Sequence, residues 1–200
     1  SILADYEQEN WYDDRKSEID SKFWTRYKNY LIDVKHFSPS VVSTLGEETL
    51  DQKLMNYILD PMANYVEPKL KRGLIIGDVQ SGKTSTYIGF MCKAADAGYK
   101  VFILLTGTIE SLRKQTQERV EEGFIGIDMS ANSTGGKRVG VGLDNQDIFA
   151  MSMTSRAKDF TGDNDKIAVS LKGNNQAVVF VIKKNTTTLQ KLTKWLKDYN

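Results

Sequence analysis

The sequence predicts an α/β fold, a parallel sheet with helices on both faces, preceded by an N-terminal helical region. Three observations support this. From residue 73 onward, short apolar runs without polar alternation recur, as strands buried on both faces require. Stretches with helical start and stop signals separate those runs, and strand–helix alternation is the grammar of parallel sheets. Before residue 67 the period is different: apolar residues recur every three or four positions, the stripe of an amphipathic helix. The chain therefore divides into a helical accessory region, 1–66, and an α/β region, 67–200.

In the first region, Ile19, Phe23, Tyr27, Tyr30, Leu31 and Val34 form one apolar stripe, with Trp11 and Trp24 adding bulk nearby. His36 falls at the expected helix end. Ser38-Pro39 opens a short helix, serine as the cap and proline at the first position. A further helix is predicted from about Glu48 through Leu50, Leu54, Tyr57 and Ile58, stopped by Asp60-Pro61. In the second region, strands are predicted at 73–78, 100–106, 148–153 and 177–182, and helices at 83–97 and 108–122. Residues 123–146 are rich in Gly, Asn and Ser and read as a long excursion, with a short strand at 138–141. Thr186 or Thr187 is expected to cap a last amphipathic helix carrying Leu189, Leu192, Trp195 and Leu196.

Between the first strand and the first helix of the second region stands Gly77-Asp78-Val79-Gln80-Ser81-Gly82-Lys83-Thr84, a full match to G-x-x-x-x-G-K-[ST]. Glycines let such a loop curl until successive backbone N–H groups face inward at an anion, and the positive end of the following helix adds to the field. Lys83 is expected to reach the β- and γ-phosphates and to be the catalytic cation, with Thr84 ligating Mg²⁺. Gly77 through Ser85 thus form the candidate ATP and Mg²⁺ site of a P-loop NTPase.

Composition is that of an ordinary water-soluble domain, 40% hydrophobic and 26% charged, and no apolar run approaches a membrane span. One cysteine, Cys92, permits no internal disulfide and suits a reducing cytoplasm, where packing in the helix is its expected role. One histidine argues against His-built metal sites. Charge is uneven along the chain. Residues 1–67 carry 7 Lys+Arg against 13 Asp+Glu and residues 68–200 carry 20 against 13, within totals of 27 and 26. A basic second region suits polyanionic ligands, nucleotide first and nucleic acid second.

A nucleotide-hydrolysing P-loop domain also needs a strand ending in Asp to hold Mg²⁺ and orient water. None of the predicted strands ends that way, so the expectation is a segment cut before its acidic motif, whose remaining C-terminal portion is a partner, with a chain that binds nucleotide without hydrolysing it as the alternative. At the second strand-to-helix junction, Leu104-Leu105-Thr106-Gly107-Thr108 leads into Leu112-Arg113-Lys114-Gln115. The latter looks like half of the Pro-Thr-x-x-Leu-Ala-x-Gln element with which motors of helicase superfamily 2 touch the nucleic-acid backbone. Thr106, Gly107, Thr108, Arg113, Gln115 and Lys183 are the candidate nucleic-acid contacts, with plain capping by Thr108 as the alternative.

Several stretches together resemble the Z-one domain family. They are Leu59-Asp60-Pro61, Arg72 through Thr84, Lys93-Ala94-Ala95-Asp96-Ala97-Gly98-Tyr99-Lys100, and Gln115-Thr116-Gln117-Glu118-Arg119 with Gly123-Phe124. Members are bacterial and phage proteins regarded as endonucleases and found with restriction-modification and phage-defence systems. The resemblance covers about residues 38–200, the front half of that domain. It implies a RecA-like, helicase-like ATPase core acting on DNA, with the family's Ile-Asp-Asp-Glu-Ala-Asp motif beyond Asn200. It places no nuclease residue here.

Two functions follow as expectations. The first is the ATP-binding half of a superfamily-2-like ATPase or endonuclease acting on DNA in restriction or phage defence, inactive as an isolated segment. The second is a nucleotide-gated protein-interaction module that touches no nucleic acid.

Overall fold

The computed structural model describes residues 10–76, 82–130, 135–144, 147–148, 150–162 and 176–198. Tertiary contacts divide the chain into two compact units, Ser1–Gly98 and Tyr99–Asn200, and the helix at 83–97 packs with the helices that precede it.

In the first unit α1 (Trp11–Arg15) leads to α2 (Lys22–Asn29), which runs on into a π-helical turn, Tyr30–Val34. The predicted stripe holds through α2 and into that turn, where Tyr27, Tyr30 and Leu31 are buried. It fails at Val34, which is 54% exposed. The N–H of Lys35 bonds five residues back to the Tyr30 carbonyl, and that wider turn rotates Val34 off the buried face. His36 follows with φ 57, the left-handed residue at the helix end. In α3 (Pro39–Thr44) Ser38 caps as expected, its Oγ accepting the Val41 N–H.

The long helix predicted from Glu48 to Ile58 is broken. A π-helical turn spans Leu45–Asp51 and a 3₁₀ turn spans Met55–Tyr57. Tertiary bonds explain the break. The indole of Trp11 donates to the Ile58 carbonyl, and the side chain of Asn56 accepts the Tyr12 N–H and donates to Asp13. Such anchoring overrides a local helical period.

α4 (Lys83–Ala97) matches its predicted bounds and ends at Gly98, φ 115. Trp11, Tyr12, Met55 and Ala97 form one buried cluster, flanked by Ile19, Ile58 and Phe90. Trp24 lies against two glycines: a Cβ at Gly46 would come within 2.6 Å of its ring, and one at Gly89 within 3.2 Å. Cys92 is buried as expected, and burial pushes its thiol up, leaving it unreactive.

The strand predicted at 73–78 is described only as far as Ile76. Gly73–Ile76 form no ladder, and Leu74, Ile75 and Ile76 are exposed. Four apolar residues cannot hold an extended shape without a paired neighbour, because a ladder is non-local.

The second unit contains a parallel three-stranded sheet in the order β1-β5-β4, with β1 at Val101–Thr106, β4 at Ala150–Ser152 and β5 at Ala177–Lys183. Strand β5 is central, pairing in parallel with β1 (Val101 opposite Val178) and β4 (Ala150 opposite Ala177). Ala177 through Ile182 are all buried, the pattern of a strand covered on both faces. On one face Val178, Phe180 and Ile182 pack with Met153, Phe160, Leu192 and Trp195, the last two from α6 (Thr186–Asp198). On the other side of the pleat α5 (Glu110–Val120) contacts β5, and Phe102 meets Phe124 edge-to-face. The sheet and its helices make this unit an α/β arrangement.

The cap of α6 is neither Thr186 nor Thr187. Asn185 Oδ1 accepts the Thr188 N–H at 2.9 Å, so the helix starts one residue after its cap at Thr186. In the excursion, β2 (Ile127–Asp128) and β3 (Lys137–Arg138) form a small antiparallel ladder; the strand predicted at 138–141 falls at 137–138, and a 3₁₀ turn at Gly140–Leu143 takes over its later residues. No helix among the described residues is long and apolar enough to cross a membrane.

Candidate nucleotide site

Of the phosphate-loop residues, Gly77, Asp78, Val79, Gln80 and Ser81 lie outside the described residues. Gly82 stands at the cap position of α4 with φ 77 and ψ 17, and as a glycine it offers no side-chain cap. A Cβ at Gly82 would meet nothing within 4 Å, so glycine is required by the left-handed backbone and not by crowding. Its carbonyl accepts the Thr86 N–H at 3.0 Å and the Thr86 hydroxyl at 3.3 Å, closing the first turn. Lys83 is exposed, while Thr84 and Ser85 are half-buried. The first amides of a 15-residue helix carry partial positive charge. That end fits a phosphate, with Lys83 and Thr84 as the residues to hold a triphosphate and its Mg²⁺.

The expected nucleic-acid residues fall at the carboxyl edge of the parallel sheet. Thr106 ends β1, and its hydroxyl is bonded to the Ile182 and Gly107 carbonyls. Gly107 and Thr108 are exposed, but Thr108 does not cap α5: Ile109 occupies the cap position and no side chain caps the helix. Gln115 is exposed on α5.

Arg113 is different. It is fully buried, with Nε and Nη2 on Glu110 Oε1 at 2.9 and 2.7 Å, Nη1 on the Ser155 carbonyl and Nη2 also on the Arg156 carbonyl. Its guanidinium holds the 155–156 segment to α5 instead of facing a ligand. Lys183 closes β5 and pairs with Glu110 Oε2 at 2.9 Å and Asp159 Oδ2 at 3.8 Å. Hydrogen bonding to Arg113, reinforced by Lys183, draws the Glu110 carboxyl down to about 2. Glu110 therefore stays ionised beside both cations and offsets the field a phosphate would need there.

No family model, curated protein or solved structure matches this chain.

Two polar clusters were not anticipated. In the first unit, buried Asp51 accepts from Lys93 at 2.5 Å, Lys16 at 2.5 Å and the Tyr12 hydroxyl at 3.0 Å, and the Lys93 ammonium also lies over the Trp24 ring. Burial lowers Lys93 and Asp51 opposes that shift. In the second unit, Gln117 exchanges bonds with Thr154 and donates to Glu121 and Ser152, while Arg156 binds Glu118 and Glu121. The i,i+4 spacing of Gln117 and Glu121 was a readable signal. The pairing with Thr154 and Arg156 was not, because it spans more than thirty positions. Among the described residues no group of three His, Cys, Asp or Glu side chains could hold a metal ion.

Proposed function

We propose that the chain binds Mg-ATP on residues 77–85, as the nucleotide-binding half of a helicase-like P-loop ATPase that acts on DNA in restriction or phage defence. The observation that carries the nucleotide reading is the start of α4. The motif's second glycine is left-handed at the cap position, and Lys83 and Thr84 follow at the first turn of α4. In this role backbone amides and Lys83 grip the β- and γ-phosphates, and the Thr84 hydroxyl faces Mg²⁺. Bound there, Mg²⁺ supplies neutralisation of charge on the phosphate oxygens. Titration with a fluorescent Mg-ATP analogue tests the reading: Lys83→Ala should abolish binding, and unchanged affinity in that variant overturns it.

The DNA half of the proposal draws support from the resemblance to the Z-one domain family and from α6, whose Lys191, Lys194 and Lys197 are exposed and carry no ion pair among the described residues. One observation favours the second reading, a nucleotide-gated protein-interaction module: Glu110 neutralises Arg113 and Lys183 at the sheet edge. Salt-dependent binding to single-stranded and duplex DNA separates the two. Contacts to several phosphates make affinity fall steeply with salt. No binding at low salt favours the module.

A further inference from the structure

The helix that carries the candidate triphosphate seat at one end carries Asp96 at the other. From the last turn of α4, Asp96 reaches the first turn of α2, where Oδ1 accepts the Phe23 N–H at 2.8 Å and Oδ2 the Trp24 N–H at 2.9 Å. Ser21, at the cap position of α2, makes no side-chain capping bond. A carboxylate more than seventy residues along the chain therefore satisfies the amides that a local cap ordinarily takes. The same helices meet again near the seat, where the Tyr27 hydroxyl donates to the Ser85 carbonyl at 3.4 Å. Between these ends Gly89 gives Trp24 room to pack on α4. Thus α2 grips α4 at both ends, and Ser85 directly follows the motif.

We propose that Asp96 is a positioning residue for the phosphate seat, locking α4 to α2 so that gain or loss of its proton changes how firmly the seat is held. This rests on the nucleotide reading above. The groups facing Asp96 set the direction. Burial is the largest influence and raises its carboxyl to about 7 from 3.8, opposed by the two N–H bonds. Asp20, just before α2, pushes the same way as burial, while Lys93 on α4 pulls back. Lys22 on α2, Tyr12 on α1 and Cys92 on α4 also feel its charge.

A folded value above the ordinary one means that the folded chain holds this proton more tightly than the unfolded chain. The stabilisation is full below the ordinary carboxylate range and is lost as pH rises through about 7. The two N–H bonds favour the carboxylate and burial favours the acid; burial is the larger influence, so the fold is more stable with Asp96 neutral. Asp96→Asn stays neutral at every pH, and its amide oxygen accepts one of the two N–H groups.

The experiment follows Tm and the Kd for a fluorescent Mg-ATP analogue from pH 5 to 9, on the full chain and on Asp96→Asn. The wild type should lose Tm and bind nucleotide several-fold more weakly across a transition centred near pH 7. The variant should lack that transition, and because nucleotide ionisation is common to both, the ratio of the two Kd values isolates Asp96. Nucleotide binding with parallel pH profiles overturns the positioning role and leaves the nucleotide reading standing. No nucleotide binding at any pH overturns both. A ¹³C-carboxyl titration of wild-type Asp96 needs no variant: a midpoint near 7 supports the clamp and one near 4 overturns it.

Discussion

Ser1–Gly98 and Tyr99–Asn200 bury charge in different ways. In the first unit Lys93 has a partner as dry as itself, with side-chain exposures of 7% for Lys93 and 4% for Asp51, although Asp51 also pairs with Lys16, 47% exposed. In the second unit each buried charge meets a partner that reaches water: fully buried Arg113 pairs with Glu110, 40% exposed, and buried Glu121 pairs with Arg156, 27% exposed. A pair with one wet member retains much of its hydration, whereas a dry pair depends on its mutual attraction. The apolar cores differ in the same sense. The second unit is built on one strand buried along its length, while the first fits Trp24 against two glycines and cross-braces broken helices with side-chain bonds.

The sharpest way to break this comparison is Asp51→Ala. It leaves Lys93 buried without its carboxylate and should destabilise the first unit by about 3–5 kcal/mol. Amide exchange should report the loss over residues 11–97 and spare β5. An equal loss in β5 would mean that the units do not unfold separately.

Next in size is Gly89→Ala. Alanine normally favours a helix interior by about 1 kcal/mol over glycine. Here its Cβ would lie 2.9 Å from Leu50 and 3.2 Å from Trp24, and overpacking of that kind costs about 1–3 kcal/mol. Urea denaturation should therefore show net destabilisation, and a gain in stability would show that Trp24 has room to move.

Asn185→Ala removes the cap of α6 and should cost about 1 kcal/mol, seen as faster exchange at the Thr188 amide with the Trp195 core unchanged. The smallest expected effect is Glu110→Gln. Because Arg113 holds the Glu110 carboxyl near 2, below its ordinary 4.5, its stabilisation is present above pH 4.5 and lost as pH falls toward 2. The variant should flatten the acid limb of a stability-against-pH curve in the second unit. An unchanged limb would show that the partly wet pair contributes nothing measurable.

Much of the fold was legible because much of it is local. The bounds of α4 follow from the Lys83 start and the Gly98 stop, and β5 from an unbroken apolar run. The Ser38 cap and the Leu192–Trp195 face of α6 were readable for the same reason. The candidate nucleotide site was legible as a motif, since glycine spacing and a following lysine encode a loop conformation within eight residues.

What the residue order could not supply was partnership across distance. Gly73–Ile76 has a strand's composition and forms no ladder, since pairing depends on a neighbour the run does not specify. The helix predicted across residues 48–58 yields to Trp11 and Tyr12, which tie down Ile58 and Asn56 from more than forty positions away. Arg113 reads as a surface cation at a sheet edge, yet the 155–156 carbonyls and Glu110 enclose it. The sequence by itself determined where α4 starts and stops, that residues 177–182 form a strand and which loop matches the phosphate-binding pattern, because these depend on φ/ψ preference, period and spacing. Tertiary structure alone decided that Asp96 caps α2 and that Glu110 quenches two cations, because electrostatics depends on distance in space and burial.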